Sequence, residues 1–382
     1  MLKICHLVHD YFPSVGGIEI QTKNLSESLT LSGHNNIVVT KRSHKFQLLD
    51  ENINGVEVLR RLFSSNRSIF PYRLFCAIYN TFFLIKIRAK YQLIHLKASY
   101  IEFLIPCWLL RKIFGKYVIY SLPTSDEIKT LKTNLMPSFQ LYFKKKIIHT
   151  FDAIITMSEE MKNDAVSFGI HKKKIYLVTN GIEVNRFLPI FENRIKGRVI
   201  YVGRINHQKG IDVLLKAWKI VIDKFTNFQL FIAGPLQKDS YVNYLKSYQK
   251  KNNLQNYIKF VGEINYYSND IVKFYQSADI FVLPSRREGM PGSLLQAMAC
   301  GLPVVSTKVS GAKELVKEGV NGKLIDIGDE KKLAEAILDV LTMSDKKKIK
   351  MGMLNRKIIE NRFDQEERTQ MFINIFKKVI NN

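Results

Sequence analysis

Residues 284–305 read PSRREGMPGSLLQAMACGLPVV. They follow the apolar run IFVL (280–283), which has the length and composition of a buried strand. Glu288 and Gly289 fall in the loop after it. Ser-Leu-Leu-Gln-Ala-Met-Ala then reads as a short helix, ended by Gly301 and Pro303 ahead of the next strand. A strand, a loop and a helix N-terminus in this order suit an anion or a polar ligand, because the first N–H groups of a helix have no internal acceptor. Two further junctions of this kind are present, GRINHQKG (203–210) and FPSVGGIE (12–19). Three around one cleft predict an enzyme for a phosphorylated, sugar-like molecule.

Working outward, strands alternate with helices over the whole chain. KICHLVH, NNIVVTK, VEVLRR, YQLIHLK, YVIYSLP, FDAIITMS and KKIYLVTNG read as strands, with helical segments between most of them, including an amphipathic one over 70–90. The pattern restarts near residue 197 with GRVIYVGRI, FQLFIAG, YIKFVG, DIFVLPS, LPVVSTK and NGKLIDI. Such alternation predicts an α/β protein with mostly parallel, doubly wound sheets. At 382 residues the chain exceeds one hydrophobic core. The expected division is 1–185, 186–364 and a terminal helix over 365–382, which either caps the second sheet or crosses back to the first domain.

Four cysteines, Cys5, Cys76, Cys107 and Cys300, show no paired spacing and sit in or beside apolar stretches. They read as buried thiols in a reducing cytoplasm. The N-terminus lacks the apolar core of a signal peptide, and no segment is long and apolar enough to span a bilayer. The net charge is +24, and residues 61–150 hold 15 Lys or Arg against 3 Asp or Glu, a local +12. Phe63, Phe70, Tyr72, Phe75, Tyr79, Phe82 and Phe83 lie in the same region. Cations mixed with aromatics fit an anionic membrane surface; a solvated basic face over an ordinary aromatic core is the alternative. Nucleic acid is not expected, because no zinc pattern, RNA-binding strand signature or basic arm is present.

Gly16 and Gly17 lie between the first strand and first helix, where a parallel sheet binds its ligand. They do not form the G-x-G-x-x-G fingerprint of a dinucleotide site, and a plain turn explains them equally well. In GRINHQKG, Gly203 permits a tight turn, while Arg204 and Lys209 offer a planar fork and a point charge suited to a diphosphate. A solvated basic turn has the same composition. Glu288 could accept hydrogen bonds from sugar hydroxyls or cap the following helix. His9 lies near the end of the first strand, where a lone histidine is commonly structural.

The pieces GGIE (16–19), MSEEMK (157–162), NGIEVNRF (180–187), GRINHQKG, AGP (233–235), the long run 278–305 and SGAKELV (310–316) together resemble glycosyltransferase family 4. The resemblance covers nearly the whole chain. It implies the GT-B architecture, two facing Rossmann-like domains, and a retaining, metal-independent transfer from a nucleotide-diphosphate sugar. On that resemblance Arg204 and Lys209 match the pair that holds the donor diphosphate, and Glu288 the acidic residue that contacts the donor sugar. Gly289, Met290 and Pro291 match the loop facing that sugar, with Gly203 in the diphosphate turn and Gly16 and Gly17 near diphosphate and acceptor. No cofactor or metal is implied.

Two departures from the family pattern stand out. The second acidic residue of the E-x7-E motif, which holds the nucleotide ribose in the family, is Gln296 here. Glutamine keeps an acceptor, gains two donors and loses the charge. The histidine that many members carry in the first domain is replaced within YSLPTSDE (120–127), where Ser121, Thr124, Ser125 or Asp126 would line the acceptor side. The expected activity is transfer from a UDP-sugar to a lipid-linked or cell-envelope glycan, by a cytoplasmic protein held peripherally at the inner membrane face. A soluble acceptor, or a non-catalytic sugar-nucleotide-binding subunit of a glycan assembly complex, are the rivals. The oligomeric state is not legible.

Overall fold

A computed structural model of the chain describes residues 1–64, 70–122, 138–236 and 240–381. The chain divides into two compact units, Met1–Gly181 together with Gln365–Asn382, and Ile182–Asp364.

The first unit is built on strands β1 (Lys3–Leu7), β2 (Asn35–Lys41), β3 (Asp50–Ile53), β4 (Val56–Leu62), β5 (Leu93–Leu96), β6 (Tyr117–Ser121), β7 (Ala153–Thr156) and β8 (Ile175–Leu177). Their spatial order is β3-β4-β2-β1-β5-β6-β7-β8. All pairs are parallel except the hairpin β3–β4, turned at Asn54-Gly55, whose residues both have positive φ. The first-unit helices are α1 (Gly17–Leu31), α2 (Phe70–Lys86), α3 (Ile101–Phe114), α4 (Ser138–Thr150) and α5 (Glu159–Ser167). Successive side chains of β1 feed opposite faces, as the pleat requires. Ile4 packs with Leu25, Leu29 and Phe376 on one side; Cys5 and Leu7 pack with Phe103, Cys107 and Leu110 on the other. Both faces are therefore covered, which is why β1 and β5 are apolar runs and not alternating ones.

The second unit carries β9 (Arg198–Val202), β10 (Gln229–Ala233), β11 (Ile258–Gly262), β12 (Ile280–Leu283), β13 (Val304–Thr307) and β14 (Gly322–Ile325), in the order β11-β10-β9-β12-β13-β14. Every pair is parallel. Its helices are α6 (Ile211–Lys224), α7 (Ser240–Lys251), α8 (Asn269–Gln276), α9 (Gly292–Ala299), α10 (Ser310–Leu315), α11 (Glu330–Leu341) and α12 (Asp345–Arg362). Strand order reverses between β9 and β12 here, and between β1 and β5 in the first unit. Reversals of this kind open a crevice at the C-terminal ends of the flanking strands.

The break between units falls at Gly181/Ile182, ahead of the 185/186 break expected from sequence. NGIEVNRF is responsible. The Ile182 N–H donates to the Phe363 carbonyl at 2.8 Å, and Arg356 Nη1 donates to the carbonyls of Val184, Phe187 and Ala299 at 2.8–3.1 Å. Of the two positions open to the terminal helix, α13 (Gln365–Asn381) takes the one in the first unit. Its Ile373, Phe376 and Val379 join the core of Ile4, Leu25 and Leu29.

A buried ion pair ties α12 to β12. Lys348 Nζ lies 2.7 Å from both carboxylate oxygens of Asp279, with the side chains 3% and 5% exposed. The Gly197 N–H donates to Asp279 Oδ2 at 3.0 Å. Asp279→Ala leaves a buried ammonium with only the exposed Asp345 nearby, at 3.5 Å. The expected cost is about 3–5 kcal/mol, read from the urea midpoint at constant slope. A loss below about 1 kcal/mol would mean that the pair behaves as a surface contact.

Candidate functional site

The reversal in the second unit brings GRINHQKG, after β9, beside PSRREG, after β12. Gly210 sits in the left-handed region at φ 68, and a Cβ there would lie 2.2 Å from the Pro284 carbonyl oxygen. Gly234, after β10, approaches in the same way, with a Cβ position 1.9 Å from the Gly203 carbonyl oxygen. Only residues without side chains let these backbones meet.

Polar side chains then fasten the loops. Arg286 forms a bidentate pair with Asp212 at 2.7 and 2.8 Å and donates to the His207 carbonyl at 2.7 Å. Its N–H donates to the Gln208 carbonyl at 2.8 Å, and Gln208 Nε2 donates back to the Arg287 carbonyl at 3.1 Å. The Tyr241 hydroxyl donates to Asp212 Oδ1 at 2.7 Å. Burial pushes the Asp212 carboxyl up, but the hydrogen bonds from Arg286 and Tyr241 outweigh it and bring the pKa down to about 2.

The clamp places the expected residues. Lys209 ends the short 3₁₀ turn His207–Lys209, and its Nζ lies 2.6 Å from Glu288 Oε1. The same oxygen accepts from the buried Ser285 hydroxyl at 2.8 Å. Glu288 Oε2 has no partner among the described residues, and Glu288 makes no bond to the helix that follows; the capping alternative is not what forms. Arg204 is exposed and makes no ion pair among the described residues. Gly203, at φ 155, keeps room for the Tyr201 hydroxyl, which donates to the Arg204 carbonyl at 3.0 Å. Met290 and Pro291 are buried, and Gly289 is half-buried. The loop is held against α10 at Gly311, where a Cβ would lie 2.5 Å from the Gly289 carbonyl oxygen. Pro291 caps α9 with no side-chain bond, so the first N–H groups of that helix lack intrahelical acceptors.

Gln296 is not open to solvent as a free side chain. It is buried on α9, and its Oε1 accepts from the fully buried Tyr275 hydroxyl at 2.8 Å. Sequence reasoning missed Arg286, Asp212 and Tyr275, which act on the site through contacts distant in sequence.

In the first unit, the reversal between β1 and β5 gathers His9, Asp10 and Tyr100. Asp10 Oδ2 lies 2.6 Å from His9 Nδ1, and Asp10 Oδ1 accepts from the Ser43 hydroxyl at 2.6 Å, with Lys41 Nζ at 3.5 Å. Burial raises the Asp10 carboxyl, yet the bonds from His9 and Ser43 overcome it and hold it well below the usual carboxylate range. An ionised Asp10 makes Nδ1 the protonated nitrogen of His9, so a neutral ring presents Nε2 as an acceptor. The ring stands 5.3 Å from that of Tyr100. Gly16 is the N-cap of α1, with Glu19 folded over it, while Gly17 faces open space. Ser121 is turned inward, 2.7 Å from His95 Nε2. Thr124, Ser125 and Asp126 lie outside the described residues.

The description "Glycosyltransferase Family 4" matches residues 15–186, and "Glycosyl transferases group 1" matches 190–358. A capsular polysaccharide biosynthesis glycosyltransferase, CapM of Staphylococcus aureus, is 29% identical over 262 residues, 63% of this chain and 66% of that protein. Sucrose-phosphate synthase from Thermosynechococcus elongatus superposes with a TM-score of 0.85 at 21% identity, covering all of both chains. Anabaena HepE, in complex with UDP and glucose, gives 0.80 at 20%, covering 99% of this chain and 100% of that one. These likenesses establish the GT-B type of α/β fold.

Arg286→Ala should release the loop pair while leaving the sheet intact. Amide exchange over 203–210 is expected to speed up, with β9 and β12 still protected. Because the Asp212 pKa is depressed, the clamp is fully formed above the ordinary carboxylate range and is lost as pH falls through about 2. Unchanged exchange at 203–210 in the variant would show that the glycine contacts hold the loops without Arg286.

Proposed function

We propose that this chain, which belongs to the family-4 glycosyltransferases, moves a sugar from a nucleotide-diphosphate donor, with UDP as the nucleotide, to a hydroxyl of a lipid-linked or cell-envelope glycan. The observation that carries the reading is the meeting of Lys209, Glu288 and Ser285 beside the exposed Arg204, at the strand-order reversal of the second unit. A diphosphate there would draw Lys209 and Arg204 as charge builds on the leaving oxygen. Glu288 would then accept from the hydroxyls of the donor sugar, with Gly289, Met290 and Pro291 shaping that side. The bond from the anomeric carbon to the diphosphate breaks as the bond to the acceptor oxygen forms on the same face. The acceptor proton passes to the departing phosphate oxygen, giving retention without a resident metal.

Gln296 would lie on the ribose side of the nucleotide, with its oxygen held by the Tyr275 hydroxyl. The polysaccharide setting is supported by the likeness to CapM, and UDP by the complex of HepE. The engagement of Gln296 favours a second reading, a sugar-nucleotide-binding subunit with no transfer activity of its own.

A nucleotide-sugar panel tests both readings, scored by calorimetry and by slow donor hydrolysis. Binding with turnover supports a transferase, and binding without turnover, even with glycan acceptors supplied, supports the subunit. Lys209→Ala should lower turnover by about 100-fold or more; near-normal activity would remove Lys209 from the proposed role. Gln296→Glu keeps an acceptor for Tyr275 and adds a charge, so UDP should bind more tightly. Weaker binding would mean that the amide donors make the ribose contact.

A further inference from the structure

The helix α2 is amphipathic the wrong way round for a surface helix in water. Its inner face carries Cys76, Ala77, Asn80, Thr81 and Leu84, all buried. Its outer face carries Tyr72, Leu74, Phe75, Ile78, Tyr79 and Phe82, all exposed, with Phe75 and Phe82 at 60% and 69%. A helix covering a soluble core normally turns its larger apolar residues inward.

The orientation is fixed by specific bonds. Asn80 Nδ2 donates to the Glu102 carbonyl at 3.0 Å. That carbonyl lacks its usual helical donor, because position 106, four residues on, is a proline within α3. Asn80 also exchanges two bonds with the Phe63 backbone, both 2.9 Å. Turning the aromatic face inward would break all three bonds and leave buried groups unpaired.

What covers this face is indicated by charge. Residues 58–101 contain no Asp or Glu and eight Lys or Arg. Lys86 and Arg88, at the end of α2, are exposed, and Arg73 sits 5.3 Å from the Tyr100 ring. A contiguous apolar patch of this kind marks an interaction surface. Arg60, Arg61 and Lys90 are paired with Glu51, Asp50 and Glu57, while aromatics flanked by the exposed Lys86 and Arg88 match an anionic lipid headgroup layer above acyl chains. We infer that the outer face of α2 inserts into an anionic membrane surface, with Phe75, Ile78 and Phe82 as the buried anchors and Arg73, Lys86 and Arg88 at the headgroups. No helix among the described residues is long and apolar enough to cross a membrane, so the contact is interfacial. The inference deepens the lipid-linked acceptor reading and rests on it for its biological sense, while its test is independent of catalysis.

The test is co-sedimentation of the full chain with phosphatidylcholine vesicles, with and without phosphatidylglycerol. The wild-type chain should partition onto the anionic vesicles, less so as salt rises. Phe75→Ser/Phe82→Ser should lower that partitioning by about tenfold or more, with unchanged melting and unchanged donor hydrolysis in vesicle-free buffer. Equal partitioning of variant and wild type, or no partitioning of wild type, overturns the inference. So does a wild-type dimer in sedimentation velocity that the double variant abolishes while vesicle binding is absent; the face would then join two copies. Vesicle binding that follows the expected pattern in a protein with no donor hydrolysis would defeat the transferase reading and leave this one standing.

Discussion

Everything proposed for the second unit depends on backbones meeting where no side chain intervenes. A Cβ at position 210 would sit inside the Pro284 carbonyl, and one at 234 inside the carbonyl of Gly203. Without those contacts the loops after β9 and β12 would stand apart, and Lys209 could not reach Glu288. The glycines create the proximity, and the polar clamp of Arg286, Asp212 and Tyr241 sets the register. This order of causes matters, since a guanidinium fork holds direction well but does not by itself bring two strand ends together.

The sequence makes the strand–loop–helix rhythm of 280–305 plain, because IFVL, the helix and the Gly301–Pro303 stop are local signals. The GRINHQKG turn and its cations are local too. What was not legible joins residues far apart in the chain. Asp212 and Arg286 look like solvated charges in separate segments, and only the strand-order reversal places them together. Tyr275 lies on α8 and Gln296 on α9, so their bond follows from helix packing and not from motif spacing. The hairpin β3–β4 is a local signal as well, an Asn-Gly turn between two short strands. For α2 the periodicity announced an amphipathic helix, but periodicity has no sign. The proline in α3 and the asparagine that answers it decide which face points out.

The two units resemble each other in topology, and both pair buried cations with acids, as Arg60 with Glu51 and Lys23 with Glu27 in the first unit. In the second unit the buried Lys348 has Asp279, the buried Arg356 has three carbonyls and Glu360, and the half-buried Arg286 has Asp212. In the first unit, His6 and His95 lie fully buried on adjacent strands, Nδ1 to Nδ1 at 3.2 Å, and His6 Nε2 has no partner among the described residues. Burial, with the Lys97 charge adding, pushes the His6 pKa down to about 3, and burial alone brings Lys97 down to about 7.

The sign of the linkage follows from those directions. Below the ordinary histidine range the unfolded chain takes up protons that the folded first unit refuses. The histidines therefore weaken the fold progressively as pH falls from about 6.5 toward the folded value. Lys97 acts in the same sense at higher pH, costing stability as pH falls from its ordinary range to about 7. Asp212 in the second unit has the same sign in a lower range, since its depressed pKa makes the contribution of the clamp fall away as pH drops toward about 2. The two units thus share a strand-order reversal and, in Asp10 and Asp212, a carboxylate beside it that hydrogen bonds hold in its charged form. The second fixes its loops with a compensated pair, Arg286 with Asp212. The first unit buries the histidine pair His6 and His95 alongside its own ion pair Arg60–Glu51.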